Sequence, residues 1–276
     1  MSKLELDLEK VKRNPWELEY AQTQTYEMCI EAIERKGLLL KYVRWDELNL
    51  DKEQRYNLYL KAVKSFGMSL KYIKEQTPKI CMEAVKEDGM ALEHVKEQTP
   101  VICIEALKQN VLSLKYVNWG ELNIKFSKEN LNELYLSAVN AVKKESLLLK
   151  YIKDQTEEMC LESIKQNPFT IYYVNEQLDE ICREALRQNK NTIEYIKDKE
   201  KYLEEFDIKY LKKQDKVREV IAIKEDEEWL FTVGCQFKMT KEKFIYRIHN
   251  DNGGFNLSLG INVHRQVYLN FLEQFD

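Results

Sequence analysis

Six cysteines and three histidines are the side chains of this sequence with the readiest nucleophilic, acid–base or metal-binding chemistry. Five of the cysteines, Cys29, Cys81, Cys103, Cys160 and Cys182, occupy one place in a repeated pattern, the ninth residue after an aromatic one. The sixth, Cys235, follows an apolar run in "VGCQ", with His249 and His264 downstream. A cysteine hydrolase needs a thiolate beside a positioned imidazole, so Cys235 with His249 or His264 is the weak catalytic candidate of the chain. No Cys-x-x-Cys pair occurs, and no histidines are spaced to complete a zinc set with the repeat cysteines. Neither a metal nor a cofactor is expected.

The elements that must position these cysteines follow from self-comparison. Tyr20 to Tyr42, Tyr72 to His94, His94 to Tyr116, Tyr151 to Tyr173 and Tyr173 to Tyr195 are all steps of 22 residues, while Tyr42 to Tyr72 is 30 and Tyr116 to Tyr151 is 35. Within a short unit a Gln-Thr follows the aromatic residue, then the cysteine, then a small residue. Thr25, Thr77, Thr99 and Thr156 precede apolar positions at helical spacing, and Pro78 and Pro100 follow two of them. A threonine hydroxyl can accept from an unpaired first-turn N–H and proline fits the first helical position, so each unit opens with a helix. Gly37, Gly67, Gly89, Asn110, Asn167 and Asn189 are then expected to close it in the left-handed conformation, ahead of a second helix of about two turns. Helices this short are marginal alone, so the units must stack. The fold class is mainly α: a solenoid-like array of about seven helix-turn-helix units, two with Trp-containing insertions.

On the first helix Ile80, Cys81, Ala84 and Val85 share one apolar face, as do Ile102, Cys103, Ala106 and Leu107. Counting back three from Ala62 and Ala138 places Tyr59 and Tyr135 in the cysteine slot of the long units. A slot that takes cysteine or tyrosine is chosen for volume, so the repeat cysteines are expected to be packing residues.

The aromatic column Tyr20, Tyr42, Tyr72, His94, Tyr116, Tyr151, Tyr173 and Tyr195 could stack nucleic-acid bases. Its flanks mix Lys41, Lys71 and Lys115 with Glu19, Glu93 and Glu194, whereas a phosphate track wants one sign of charge, and inter-unit packing is the favoured reading. The two insertions open alike, "RWDELNL" and "NWGELNI". Trp45, Glu47, Trp119 and Glu121 are therefore the candidate partner-binding residues, with filling of a kink in the stack as the alternative.

With 33% charged residues but a net charge of only -4, the composition argues against a dedicated polyanion binder, and eight glycines and four prolines suit a helical chain. The N-terminal stretch reads as neither signal peptide nor membrane anchor, and a cytoplasmic location with reduced thiols is expected. Residues 1–215 are assigned to the array with its capping helices, "DKEKYLEEFDIKYLKKQ" being read as the terminal helical cap. Residues 216–276 are assigned to a small α+β cap domain of one β-hairpin and two helices, with Asp251, Gly253 and Gly254 in a turn.

The run "YIKEQTPKICMEAVKEDGMALEHV" resembles the bacterial and viral helical repeats called the domain of unknown function numbered 4116, over about residues 14 to 198. The tail, "VGCQ" through "NDNGG" to "NVHRQVYLNFL", looks like a small C-terminal module of bacterial and phage proteins. That resemblance implies no catalytic residues. The expected function is a non-enzymatic module that binds a protein partner through its repeat surface, in its sharper form an inhibitor of a bacterial defence component. Nucleic-acid or nucleotide binding along the aromatic column and hydrolase activity in the C-terminal domain are the alternatives, and self-association stays open.

Overall fold

Thr25, Thr77 and Thr99 each stand in extended backbone immediately before a helix, and their hydroxyls accept from the N–H groups of Met28, Ile80 and Ile102 at 3.3–3.4 Å. Thr156 caps its helix in the same way, through Met159. This local rule builds the repeat in the computed structural model of the chain, which describes residues 3–214, 217–234, 236–250, 255–256, 261–262 and 265–275. The chain divides into two units, residues 1–166 and 167–276.

The first unit starts with α1 (Lys3–Arg13) and a 3-10 helix, Pro15–Leu18. Its repeat helices are α2 (Tyr26–Arg35), α3 (Lys52–Ser65), α4 (Pro78–Glu87) and α5 (Pro100–Gln109), then α6 (Trp119–Lys125), α7 (Lys128–Lys144) and α8 (Glu157–Gln166). After each of α2, α3, α4, α5 and α7, or one unit's worth of chain, comes a six-residue 3-10 helix ending on the aromatic column: Gly37–Tyr42, Gly67–Tyr72, Gly89–His94, Val111–Tyr116 and Ser146–Tyr151. From α2 to α8 each repeat helix packs on the next, with α5 on α7 past the inserted α6, and the 3-10 helices pack in the same succession, so the array has two layers with the core between them.

The joint between the two helices of a unit differs from the expectation. Gly37, Gly67 and Gly89 do not adopt a left-handed conformation; the residues that end the α-helices, Lys36, Phe66 and Asp88, have negative φ, the last two extended, and their N–H groups close the helices onto Ala32, Ala62 and Ala84. Asn110, Asn167 and Asn189 are extended too, and their side chains cap the following 3-10 helix by accepting from Leu112, Phe169 and Asn191 N–H at 2.9–3.1 Å. The glycines answer to a neighbour instead: a Cβ on Gly37 would lie 2.1 Å from the carbonyl oxygen of Ala62, in the next repeat helix.

The second unit holds the 3-10 helices Pro168–Tyr173 and Lys190–Tyr195 on either side of α9 (Asp179–Gln188). Of the stretch expected as a helical cap, only Lys199–Tyr202 is helical, and Ile208–Leu211 forms a strand. That strand, β1, joins β2 (Val220–Glu225), β3 (Glu228–Val233) and β4 (Gln236–Met239) in an antiparallel sheet of order β1-β2-β3-β4. The expected hairpin is β2–β3, with Glu225 opposite Glu228, and it sits in a larger sheet than the hairpin alone. Then come α10 (Lys241–Asn250), the short strands β5 (Phe255–Asn256) and β6 (Ile261–Asn262), and α11 (Arg265–Leu272). Val220 and Ala222 alternate on the face that packs with Phe231, Phe244 and Phe271. Ile221 and Ile223 point the other way and are buried as well, and β2 packs against Lys190–Tyr195. A strand apolar on both faces needs cover on both, which is why the sheet lies between its own helices and the last repeat.

Candidate interaction surface

The repeat cysteines are interior. Cys29, Cys81, Cys103, Cys160 and Cys182 are 0–4% exposed. Burial pushes the thiols of Cys29 and Cys103 up to about 12 and those of Cys81 and Cys160 up to about 11, and raises Cys182 in the same direction. They stay protonated, and four use that proton: Cys81, Cys103 and Cys160 donate to the side-chain oxygens of Gln76, Gln98 and Gln155 at 3.5–3.7 Å, and Cys182 to the Gln177 carbonyl at 3.7 Å. The packing role assigned to them fits this burial. One detail of register differs, because in α7 the helix-closing carbonyl is that of Ala141 rather than Ala138. The slot therefore holds Tyr59 in one long unit and Ala138 in the other, and Tyr135 stands one turn earlier.

Thiols that ionise near 9 when exposed and near 11–12 when folded make stability depend on pH in one direction. The unfolded chain loses these protons first, so the contribution is complete below pH 9 and is lost as pH rises through the folded values. We expect the unfolding free energy from urea titration to fall between pH 8 and pH 10, by about 1 kcal/mol per buried thiol at pH 10, and the slope to lessen in Cys103→Ala. A value flat over that range would mean that the thiols are accessible to water in the folded chain.

The glutamine of the Gln-Thr pair is the functional residue of the repeat that the sequence reading left without a role. Gln98 donates to the Tyr116 carbonyl at 2.8 Å and to that of Leu92 at 3.5 Å, and accepts from Asn118 N–H at 2.8 Å. Gln24 does the same with Tyr42, Leu18 and Arg44, and Gln177 with Tyr195, Ile171 and Lys197. Each glutamine thus ties the end of its own 3-10 helix to the end of the next. The signal was present as an absence: the two units with insertions lack this glutamine. Gln98→Ala is expected to lower unfolding free energy by about 2 kcal/mol, read by urea titration; Gln98→Glu, which keeps the shape but loses the amide donors, should cost as much. A neutral Gln98→Glu would remove the clamp from the account.

Where the clamp is missing, an aromatic pair takes its place. Trp45 packs on Tyr59 with ring centroids 5.1 Å apart, and Trp119 on Tyr135 at 5.3 Å, nearly parallel. Leu48 and Leu122 of the shared pattern are buried. The insertions nonetheless fold differently: the second forms α6, capped by Asn118, whereas Trp45 to Glu47 is a turn ahead of α3. Trp119, one of the two candidate anchors, is only 3% exposed and reaches no surface. Trp45 is half-buried, with the Arg55 guanidinium 5.7 Å from its ring. Glu47 pairs with Arg44 at 2.8 Å and Glu121 with Lys125 at 2.7 Å. Beside Tyr59 and Arg55 lies a depression of about 370 Å³, lined also by Lys52 and Glu75, whose mixed charges select no one sign of ligand.

In the aromatic column, Tyr20 is 74% and Tyr151 40% exposed, and Tyr42, Tyr72, His94, Tyr116, Tyr173 and Tyr195 are half-buried. Lys41, Lys71, Lys115 and Lys150 each hold their ammonium 4.4–4.9 Å from the ring centre of the tyrosine that follows. A ring face covered by a cation is not free to stack on a base. Of the hydrolase candidates, Cys235 and His264 lie outside the described residues, as do Asp251, Gly253 and Gly254; His249 is exposed at the end of α10, with Arg265 3.3 Å from its ring nitrogen. Among the described residues no three His, Cys, Asp or Glu side chains are grouped to hold a metal ion, and no helix is long and apolar enough to cross a membrane.

Two layers of short helices, locked by a repeated side-chain clamp, define a helical-repeat protein. Residues 56–99 and 156–200 match the family model described as Domain of unknown function (DUF4116). No curated protein and no solved structure matches the chain.

Proposed function

We propose that this chain is a protein-interaction module, without catalytic activity of its own, whose array offers a partner an extended surface. The observation that carries this reading is how the recurring polar groups are used. The glutamines of the short units are spent on backbone groups of neighbouring units, and the thiols are buried and protonated. What remains at the surface repeats along the array, the arrangement by which stacked-repeat proteins meet large partners.

The test is to express the tagged chain in a bacterial lysate, treat half with nuclease, and identify what co-purifies by mass spectrometry. One protein recovered in stoichiometric amount from both halves is the expected result. Recovery of nucleic acid alone, or of nothing, would overturn the reading.

A further inference from the structure

Four residues before each aromatic of the first unit, the 3-10 helices carry Leu38, Met68, Met90, Leu112 and Leu147. Leu112 and Leu147 are 45% and 43% exposed and the other three are half-buried. Because each 3-10 helix packs on the next, these side chains fall in line. Trp16, at the same place in the opening 3-10 helix, shows how the line closes up: its ring meets Tyr42 of the following helix at 6.4 Å, edge to face. The result is an apolar ribbon of one such side chain per 3-10 helix, bordered by the lysines that lie over the tyrosines.

The charges on this ribbon are unlike those elsewhere in the unit. On the α-helical layer lysines meet carboxylates: Lys64 and Lys86 pair with Glu83, Lys108 with Glu105 and Lys165 with Glu162. Lys41, Lys71 and Lys115 form no ion pair among the described residues, and their contacts are with the tyrosine rings. The row reads Glu19, Lys41, Lys71, Glu93, Lys115, Lys150, so a chain of net charge -4 keeps four lysines against two carboxylates beside a partly exposed apolar stripe. Such a stripe marks an interaction site, and its charge calls for carboxylates.

Spacing decides the shape of the occupant. Packed helices lie about 10 Å apart, which is about seven residues of α-helix and brings the same face round again. An extended strand covers that distance in about three residues, where the side chain points the other way. We infer that this ribbon seats an acidic, amphipathic α-helix of a partner protein, with an apolar residue about every seventh position on Leu38, Met68, Met90, Leu112 and Leu147 and its carboxylates against the lysine row. The inference rests on the interaction reading above and says which face and what chemistry serve it.

The probe is a synthetic helical peptide of 28 residues or so, with leucine at seven-residue spacing on one face and glutamate elsewhere on its flanks; a lysine-for-glutamate copy and an oligothymidine are the comparators. Fluorescence anisotropy with the full chain should give the acidic peptide at least tenfold tighter binding than its basic copy. The triple variant Lys41→Glu, Lys71→Glu, Lys115→Glu should reverse that order, and Met90→Gln with Leu112→Gln should weaken both peptides by tenfold or more while the thermal melt stays near that of the parent. No binding, equal binding of the two peptides, indifference to charge reversal, or tighter binding of the oligothymidine would each overturn the assignment. A protein partner captured from lysate supplies the separation of the two claims. If it binds the triple variant as well as the parent chain, the ribbon is the wrong face and the interaction reading stands; if no partner is captured, that reading fails on its own test.

Discussion

Trp119→Ala should cost about 3–5 kcal/mol of unfolding free energy, the largest effect expected of any single side chain in the array. The indole is 3% exposed and lies 5.3 Å from the Tyr135 ring with only 22° between the planes, and it occupies a junction that has no glutamine clamp. Removing it deletes both the ring contact and the buried volume, and rigid neighbours on α6 and α7 can fill little of the space. Trp45, at the matching place in the first insertion, is half-buried and shares its ring with Arg55, so Trp45→Ala is expected to cost about 1–2 kcal/mol. Urea unfolding followed by far-ultraviolet circular dichroism measures both. If the two tryptophans cost the same, the difference in burial is not what governs them. The result also sets how binding experiments must be read: loss of a partner in Trp119→Ala reports unfolding, whereas loss in Trp45→Ala, or on altering Glu47, can report a contact.

Gly37→Ala should destabilise the array by about 3 kcal/mol, although helix propensity alone favours alanine over glycine by about 1 kcal/mol. The sign reverses because the added methyl carbon would sit 2.1 Å from the Ala62 carbonyl oxygen and 3.1 Å from its carbon. These are backbone atoms of α3 and cannot turn aside as a flexible side chain would. Gly67 and Gly89 meet Ala84 and Ala106 in the same manner, at 2.4 and 2.5 Å, so Gly89→Ala should behave alike. The N–H of Gly37 donates to Ser65 Oγ and that of Gly89 to the Gln109 side chain, at 3.1 and 2.7 Å, so a shift that relieves the clash also stretches these bonds. Where Val111 and Ser146 open the 3-10 helix, a side chain is tolerated; Ser146→Gly is therefore expected to lose about 0.5–1 kcal/mol. A Gly37→Ala variant as stable as the parent would show that the repeat helices can separate without loss.

Much of this protein was legible one residue type at a time. The 22-residue spacing of tyrosines, threonines before helical periodicity, and a cysteine on the apolar face led to the repeat, its helix starts and the buried thiols, because capping and amphipathicity are settled within three or four residues of chain. The two β-rich runs on either side of a charged turn likewise marked the hairpin in advance. What needed the tertiary structure was every feature whose partner lies in the neighbouring unit. Gln98 finds its acceptor and donor 18 and 20 residues ahead. Gly37 is required by a carbonyl 25 residues away, and β1 exists because β2 offers it a ladder where the sequence alone read a helix. Two tryptophans in the same five-residue pattern part company for the same reason: Trp119 opens α6 and is buried against Tyr135 of α7, whereas Trp45 stands in a turn and stays half-buried beside Tyr59 and Arg55 of α3. The sequence by itself determined which units repeat and how each begins. Stacking determined which side chains were used up in joining them, and so which were left to meet a partner.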